Sequence, residues 1–285
     1  MLDYETLLNL QIPDTKHSYT HKDCALYALS LGYAQQPLSA SELPFVFEEA
    51  MRAVPSMGVI LAHPGYWPRT MNTGLDWVKI VHAEQGLTLH KPLPAEASVI
   101  GKSRVVDIVD KGADKGALIT YERRILEAAS GDPLCTITQT MIARGDGGFG
   151  GPQRPSPKPP TPPQREADHI IDLATPENMA LLYRLNGDWN PLHADPEVAR
   201  KAGFQKPILH GLATWGAAVR AVMQSVCDFD NEAIGSIFAR FTAPAYPGET
   251  FRNEIWREGR EVFFKVTALE RNIVVINNGR IELRE

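Results

Sequence analysis

Cysteine is scarce in this chain. Only Cys24, Cys135 and Cys227 occur among 285 residues, and no two of them form a CxxC pair. That excludes a disulfide-framed scaffold and fits a reducing compartment. Long apolar runs are missing too: no stretch reaches about 18 apolar residues, so no membrane span is expected. The opening Met1-Leu2-Asp3-Tyr4-Glu5 has neither the basic start nor the apolar run of a secretory signal. The closing Leu283-Arg284-Glu285 is not a peroxisomal address of the Ser-Lys-Leu type. A cytoplasmic location is the resulting expectation. Dense basic runs are also absent, and 29 Lys and Arg against 34 Asp and Glu leave a formal net charge of −5. Non-specific nucleic-acid binding is therefore not expected.

Several short catalytic signatures are lacking as well. There is no GxSxG elbow for a serine nucleophile. No HxH, HExxH or paired-cysteine spacing marks a metal site, so no metal is expected, although Asp188, His193, Asp195 and His210 are of ligand type. Gly145 to Gly151 is glycine-rich, but proline follows it instead of a helix, so no phosphate-cradling loop is formed.

What the chain does have is a core. Hydrophobic residues make up 44 % of it, enough for packed domains. Residues 145–165 read GDGGFGGPQRPSPKPPTPPQR, a composition that neither a helix nor an inner strand tolerates. This stretch reads as a linker, flexible at its glycines and then stiff and extended. It separates an amino half, residues 1–144, from a carboxyl half, residues 166–285. The halves echo each other. Pro92-Leu93-Pro94-Ala95-Glu96 and Pro244-Ala245-Tyr246-Pro247-Gly248-Glu249 each lead into long alternating strands.

In the amino half, strands are expected over 76–82, 87–90, 98–110, 118–127 and 134–143, and a helix over 20–31 capped by Thr20. Prolines and glycines between Pro55 and Thr73 argue against a long central helix there. In the carboxyl half Thr175-Pro176 predicts a helix to about Leu185, and Asp195-Pro196 a short one ended by Gly203. From Leu212, apolar residues at Trp215, Val219, Val222 and Val226 recur at helical spacing. Strands follow near 235–243, 251–256, 262–268 and 273–283. A long helix laid on antiparallel strands is an α+β arrangement.

The segment Gly187-Asp188-Trp189-Asn190-Pro191-Leu192-His193 holds the chemistry. Gly187 frees the backbone and Pro191 drives Asn190 toward extended geometry, so Asp188 and His193 sit on a shaped loop. Alone, Asp188 suits a turn and His193 a structural role. Together they form a carboxylate–imidazole pair able to take and return a proton, with Asn190 able to fix a water or a carboxylate. His210-Gly211 opens the helix that follows. Gly211 can be a plain helix start, or its amide can face a developing oxyanion at the positive helix end. His82 and Lys111 read by themselves as a strand end and a turn lysine. Arg240 lies on a strand opposite its apolar neighbours and is either a rim charge or a phosphate clamp.

Residues 183–195, YRLNGDWNPLHAD, with Ala202-Gly203-Phe204 and Ile208-Leu209-His210-Gly211-Leu212, strongly resemble the hydratase 2 motif of (R)-specific 2-enoyl-CoA hydratases, the MaoC-like dehydratase family. Ile80-Val81-His82-Ala83-Glu84-Gln85, Lys91-Pro92-Leu93-Pro94, the run from Val106 to Gly112 and the run from Arg240 to Pro244 resemble its two-domain type, as in peroxisomal multifunctional enzyme type 2. The resemblance implies a double hot-dog fold, with the amino-half helix reduced and the catalytic motif in the carboxyl half only. It implies reversible hydration of trans-2-enoyl-CoA to (3R)-3-hydroxyacyl-CoA. Asp188 and His193 would handle the water, Asn190 would hold them, and the Gly211 amide would receive the thioester oxygen. His82, Ala83, Lys111, Trp189, Pro191, Leu192 and Arg240 match acyl-CoA contacts, Ala83 standing where the family usually has glycine. The expected partner is an acyl-CoA thioester. No cofactor is expected beyond the CoA of that substrate, and a homodimer is compatible with the fold. The competing readings are a hot-dog acyl-CoA thioesterase and a non-catalytic acyl-CoA-binding subunit.

Overall fold

The computed structural model describes residues 2–36 and 39–285. In chain order its elements are α1 (Tyr4–Leu8), β1 (Thr15–Tyr19), α2 (His21–Ser30), α3 (Trp67–Thr70), β2 (Ile80–Leu89), β3 (Ala97–Asp110), β4 (Ala117–Glu127), β5 (Pro133–Ala143), β6 (His169–Ala174), α4 (Met179–Tyr183), α5 (Pro196–Lys201), α6 (Gly211–Ser225), β7 (Ile234–Phe241), β8 (Thr250–Glu258), β9 (Glu261–Ala268) and β10 (Ile273–Leu283), joined in places by 3₁₀ turns. The strands form one sheet in the order β1-β3-β4-β5-β2-β7-β10-β9-β8-β6. Strands from before the glycine–proline stretch lie on one side of a β2–β7 seam, and strands from after it on the other. The seam pairs Glu84 with Arg240 and runs to Thr88 opposite Ser236.

The two sides of the sheet are filled differently. Across the carboxyl half lies α6, and Ala213 to Met223 are all buried. The sequence predicted one apolar face. Here small residues let partners close in on every side: a Cβ on Gly216 would stand 2.8 Å from Leu31 of the amino half. Burying one large apolar side chain such as Trp215 or Val219 contributes about 1.5–3 kcal/mol. Under the amino half the corresponding space holds a 3₁₀ turn, Pro55–Ile60, and the short α3. Gly58 makes that approach feasible, since a Cβ there would sit 3.0 Å from Leu87 Cδ1. The reduced amino-half helix predicted from the prolines is what the chain forms.

Other differences have local causes. The strand expected over 76–82 begins as a 3₁₀ turn, Trp77–Lys79, and the two short strands expected up to His90 are one strand, β2, with a bulge between His82 and Glu84. Edge strands β1 and β6 carry weak patterns and pair on one side only. Thr175 does not cap α4. Its hydroxyl donates to the Glu249 carbonyl at 2.7 Å, and Asn178 takes the N-cap position. The glycines of the 145–165 stretch are tied down, not free: Gly148 and Gly150 amides donate to the Asp110 carboxylate at 2.8 and 2.9 Å. Further along, the Pro160 carbonyl accepts from Asn278 at 2.7 Å and the Arg165 carbonyl from Trp256 at 2.9 Å. Among the described residues, no helix is long and apolar enough to cross a membrane.

Candidate active site

The loop that carries the site is folded by its own side chains. After α4 a 3₁₀ turn, Arg184–Asn186, ends at Gly187 with φ +112°, a value that glycine reaches without a Cβ clash. Asp188 Oδ1 accepts the Asn190 amide at 3.2 Å, and Asn190 is extended at φ −55°, ψ 120°. Pro191 then opens a second 3₁₀ turn, Pro191–His193, capped by Asn190 Oδ1, which accepts the Leu192 amide at 3.0 Å. Asn190 therefore acts first on the turn that bears His193. Its side-chain oxygen serves that cap, and a second lone pair and the Nδ2 donor remain for the cleft.

His193 is 8 % exposed and its Nδ1 lies 2.9 Å from the Ile208 carbonyl. A carbonyl only accepts, so Nδ1 carries the proton and Nε2 presents a lone pair. The His210 ring stacks on it at 3.8 Å. His210 Nε2 in turn donates to the Asp188 carbonyl at 3.3 Å, while its buried Nδ1 has no partner. Burial holds His193 below the usual imidazole range, the Asp188 carboxylate opposing the shift. Burial and then His193 lower His210. Both rings are thus neutral near pH 7. Asp188 itself is exposed. The arrangement is an accessible carboxylate and a neutral basic nitrogen side by side, suited to moving the protons of one water. Asp188, His193 and His210 are also the one metal-capable set among the described residues, with donor atoms spread within 4.8 Å. Ligands around tetrahedral zinc stand roughly 3.4 Å apart, so these groups would have to close in to hold one.

Gly211 begins α6 and is exposed. The Ala213 and Thr214 amides return to the His210 carbonyl at 3.0 and 3.2 Å. Gly211 and Leu212 are the first two residues of α6, where amides lack an intrahelical acceptor and lie at the positive helix end. Phe241 lies against Gly211, where a Cβ would meet its ring at 3.4 Å. On its other side Phe241 meets His82 edge-on at 4.7 Å. The amino half thus reaches the helix end through one aromatic ring. His82 Nε2 donates to the Glu84 carbonyl at 3.1 Å, and Ala83 sits in the bulge between them. Burial takes the His82 pKa down to about 4, against the pull of Asp188.

Arg240 is neither a free rim charge nor a free phosphate clamp, because its guanidinium is paired with the Glu84 carboxylate across the seam. Lys111 is not gathered with Asp188. It lines a separate groove of roughly 410 Å³ with Lys115, Gln153 and Arg154. Trp189 is 56 % exposed, with the Arg184 guanidinium 4.6 Å over its ring. Pro191 is exposed and Leu192 half-buried on the same loop. Sequence reasoning passed over His63. Its Nδ1 accepts the Gly65 amide at 3.1 Å, and the Asp188 carboxylate and His82 both act on it. The signal was His63-Pro64-Gly65, a polar residue set by the following proline as Asn190 is set by Pro191.

Residues 158–278 match the MaoC like domain, and residues 17–145 match the MFE-2 hydratase 2 N-terminal domain. The chain is 35 % identical to the peroxisomal enoyl-CoA hydratase 2 of Arabidopsis thaliana, over 98 % of this chain and 95 % of that protein. It superposes on the crystal structure of a MaoC-like dehydratase from Phytophthora capsici with a TM-score of 0.88 at 30 % identity, covering 100 % and 99 % of the two chains. The chain belongs to the MaoC-like hydratase 2 family. Its fold is the α+β double hot-dog. A Mycobacterium tuberculosis protein with a double hotdogfold aligns over 95 % of this chain and 93 % of its own, with a TM-score of 0.56 at 13 % identity. In this family fold the Asp188 loop and the start of α6 come from one hot-dog, and His63 and His82 from the other.

Proposed function

We propose that this chain hydrates trans-2-enoyl-CoA reversibly to (3R)-3-hydroxyacyl-CoA. The observation that carries the reading is one constellation. The Asp188 carboxylate and the unprotonated His193 Nε2 stand beside a helix start, where the Gly211 amide has no intrahelical acceptor. A water held by the pair gives up one proton as its oxygen bonds to C3. The electrons of the double bond move toward the thioester, whose oxygen gains negative charge at the Gly211 amide. The pair returns a proton to C2, and the net change is addition of one water. An oxyanion donor of this kind is worth roughly 10²–10³ in rate, and positioned proton transfer roughly 10²–10⁴. Asn190 holds the loop in register for both. Lys111 and Lys115, side by side on one groove, offer two cations suited to the phosphates of CoA. The CoA is the substrate's own, and both hot-dogs of the site come from one chain.

The test is loss of enoyl absorbance when the purified chain meets crotonyl-CoA, with chiral analysis of the product. A (3R)-hydroxyacyl-CoA is the expected result. Release of free CoA from a saturated acyl-CoA would instead reveal a thioesterase. Binding of CoA without turnover would reveal a non-catalytic subunit.

A further inference from the structure

His210 carries a polar atom that packing alone does not need. The residue is 1 % exposed, and its Nδ1 has no partner among the described residues. An apolar ring would fill the same space without stranding a buried nitrogen. The neighbours of the ring would suit phenylalanine well. Tyr183 lies against it at 5.0 Å, and Tyr27 lies against Tyr183 at 6.1 Å. The Tyr27 hydroxyl meets Ser56 Oγ at 3.2 Å, in the 3₁₀ turn of the amino half.

What phenylalanine would not do is reach Asp188. His210 Nε2 donates to the Asp188 carbonyl at 3.3 Å, across 22 positions of sequence. The face of the same ring stacks on His193, with centroids 3.8 Å apart and planes 29° apart. Its backbone is the N-cap of α6, and its carbonyl accepts the Ala213 and Thr214 amides. The next peptide nitrogen is that of Gly211. One residue thus touches the peptide of the carboxylate and the ring of the base, and is bonded to the amide at the helix start.

We propose that His210 is the positioning residue that sets the spacing of Asp188, His193 and the Gly211 amide. The assignment rests on the hydratase reading above, in which these three groups address one water and one thioester together. The Nε2–H holds the Asp188 peptide, so the carboxylate cannot swing away with its exposed loop. The ring face stops the His193 imidazole from turning about its Nδ1 hydrogen bond to Ile208, so Nε2 keeps its aim. Both restraints are referred to the helix start, because His210 is covalently part of it. His210 touches no reacting atom and moves no proton. In such a set a misplacement of about 1 Å costs about 10²-fold in rate.

The experiment compares the full chain with His210→Phe and His210→Gln on crotonyl-CoA, reading kcat, KM and melting temperature. His210→Phe keeps a flat ring against His193 and Tyr183 and removes both ring nitrogens. It is expected to lower kcat roughly 10–100-fold with KM within about 3-fold. Its melting temperature should hold or rise, because the stranded Nδ1 is gone. His210→Gln restores a donor for Asp188 but has no ring. It should stand between wild type and His210→Phe in kcat, and below both in melting temperature. Activity and stability then rank the variants in opposite orders, which a packing role does not produce. Activity that follows stability, with His210→Phe at wild-type turnover and His210→Gln below it, overturns the assignment. So does a loss in His210→Phe that lies in KM, which would make His210 a substrate contact. If the wild-type chain does not hydrate crotonyl-CoA, the hydratase reading fails first and takes the assignment with it. Wild-type turnover beside a fully active His210→Phe fails the assignment alone.

Discussion

The two hot-dogs have similar sheets and opposite interiors. The carboxyl half fills its sheet with a helix of 15 residues, α6, and sets a charged loop at the helix start. The amino half fills the same space with a six-residue 3₁₀ turn and a buried arginine, and sets His82 against Phe241 beside that helix start. A helix start supplies unpaired amides and a positive field; a 3₁₀ turn of this length supplies neither usefully. On the hydratase reading proposed above, oxyanion stabilisation falls to the carboxyl half for a physical reason.

The largest effect should come from removing the charge that distinguishes the halves. Asp188→Asn and His193→Gln are each expected to lower kcat on crotonyl-CoA at least about 10³-fold with an unchanged melting temperature. Asn and Gln preserve size and hydrogen bonding while deleting basicity, so the loop should keep its shape. Near-wild-type turnover in either variant would mean that the comparison has located the catalytic half wrongly.

The second effect is on stability and involves both halves. Burial lowers His63 and His82 in one half and His193 and His210 in the other. For His82 the pKa drops from 6.5 to about 4. The unfolded chain binds a proton below pH 6.5 while the folded chain refuses it until about pH 4. Stability is thus fully present above pH 6.5 and is lost as pH falls toward 4. His82 alone accounts for about 3 kcal/mol of that loss, at 1.36 kcal/mol per pH unit. Chemical denaturation at pH 7 and at pH 4.5 should show the decline, and His82→Asn should flatten it. An unchanged slope in His82→Asn would place the sensitivity in the other histidines.

Much of this was legible in the residues. Gly187, Asn190 and Pro191 dictate the loop, and Thr20, Asp195 and Gly203 mark real helix ends. The sequence singles out Asp188 and His193, and the fold gathers them with His210. What escaped depends on partners distant in sequence. Arg240 alternates correctly out of its strand, but its meeting with Glu84 exists only because β2 and β7 pair. His63 looks like one more residue of a broken helix until Gly65 is seen to hold its ring. The glycine run reads as flexible because nothing local shows that Asp110 gathers its amides. Spacing reveals what a segment does to itself, and such anchors come from elsewhere.

The smallest effect tests the seam where the halves join. Arg240 and Glu84 are 33 % and 22 % exposed at their side chains, so water still screens the pair. Arg240→Ala should therefore cost about 1 kcal/mol or less in thermal unfolding, and Glu84→Gln about the same. In the double variant the two losses should fall short of their sum, because each single change already breaks the same pair. KM for crotonyl-CoA should stay within about 2-fold throughout. The sharper arm is Glu84→Gln. It leaves the guanidinium free in place, so an arginine able to hold phosphate would lower KM in that variant and raise it in Arg240→Ala. KM values that move in opposite directions would give the seam a substrate role. KM values that do not move would leave it as a structural joint between the two halves.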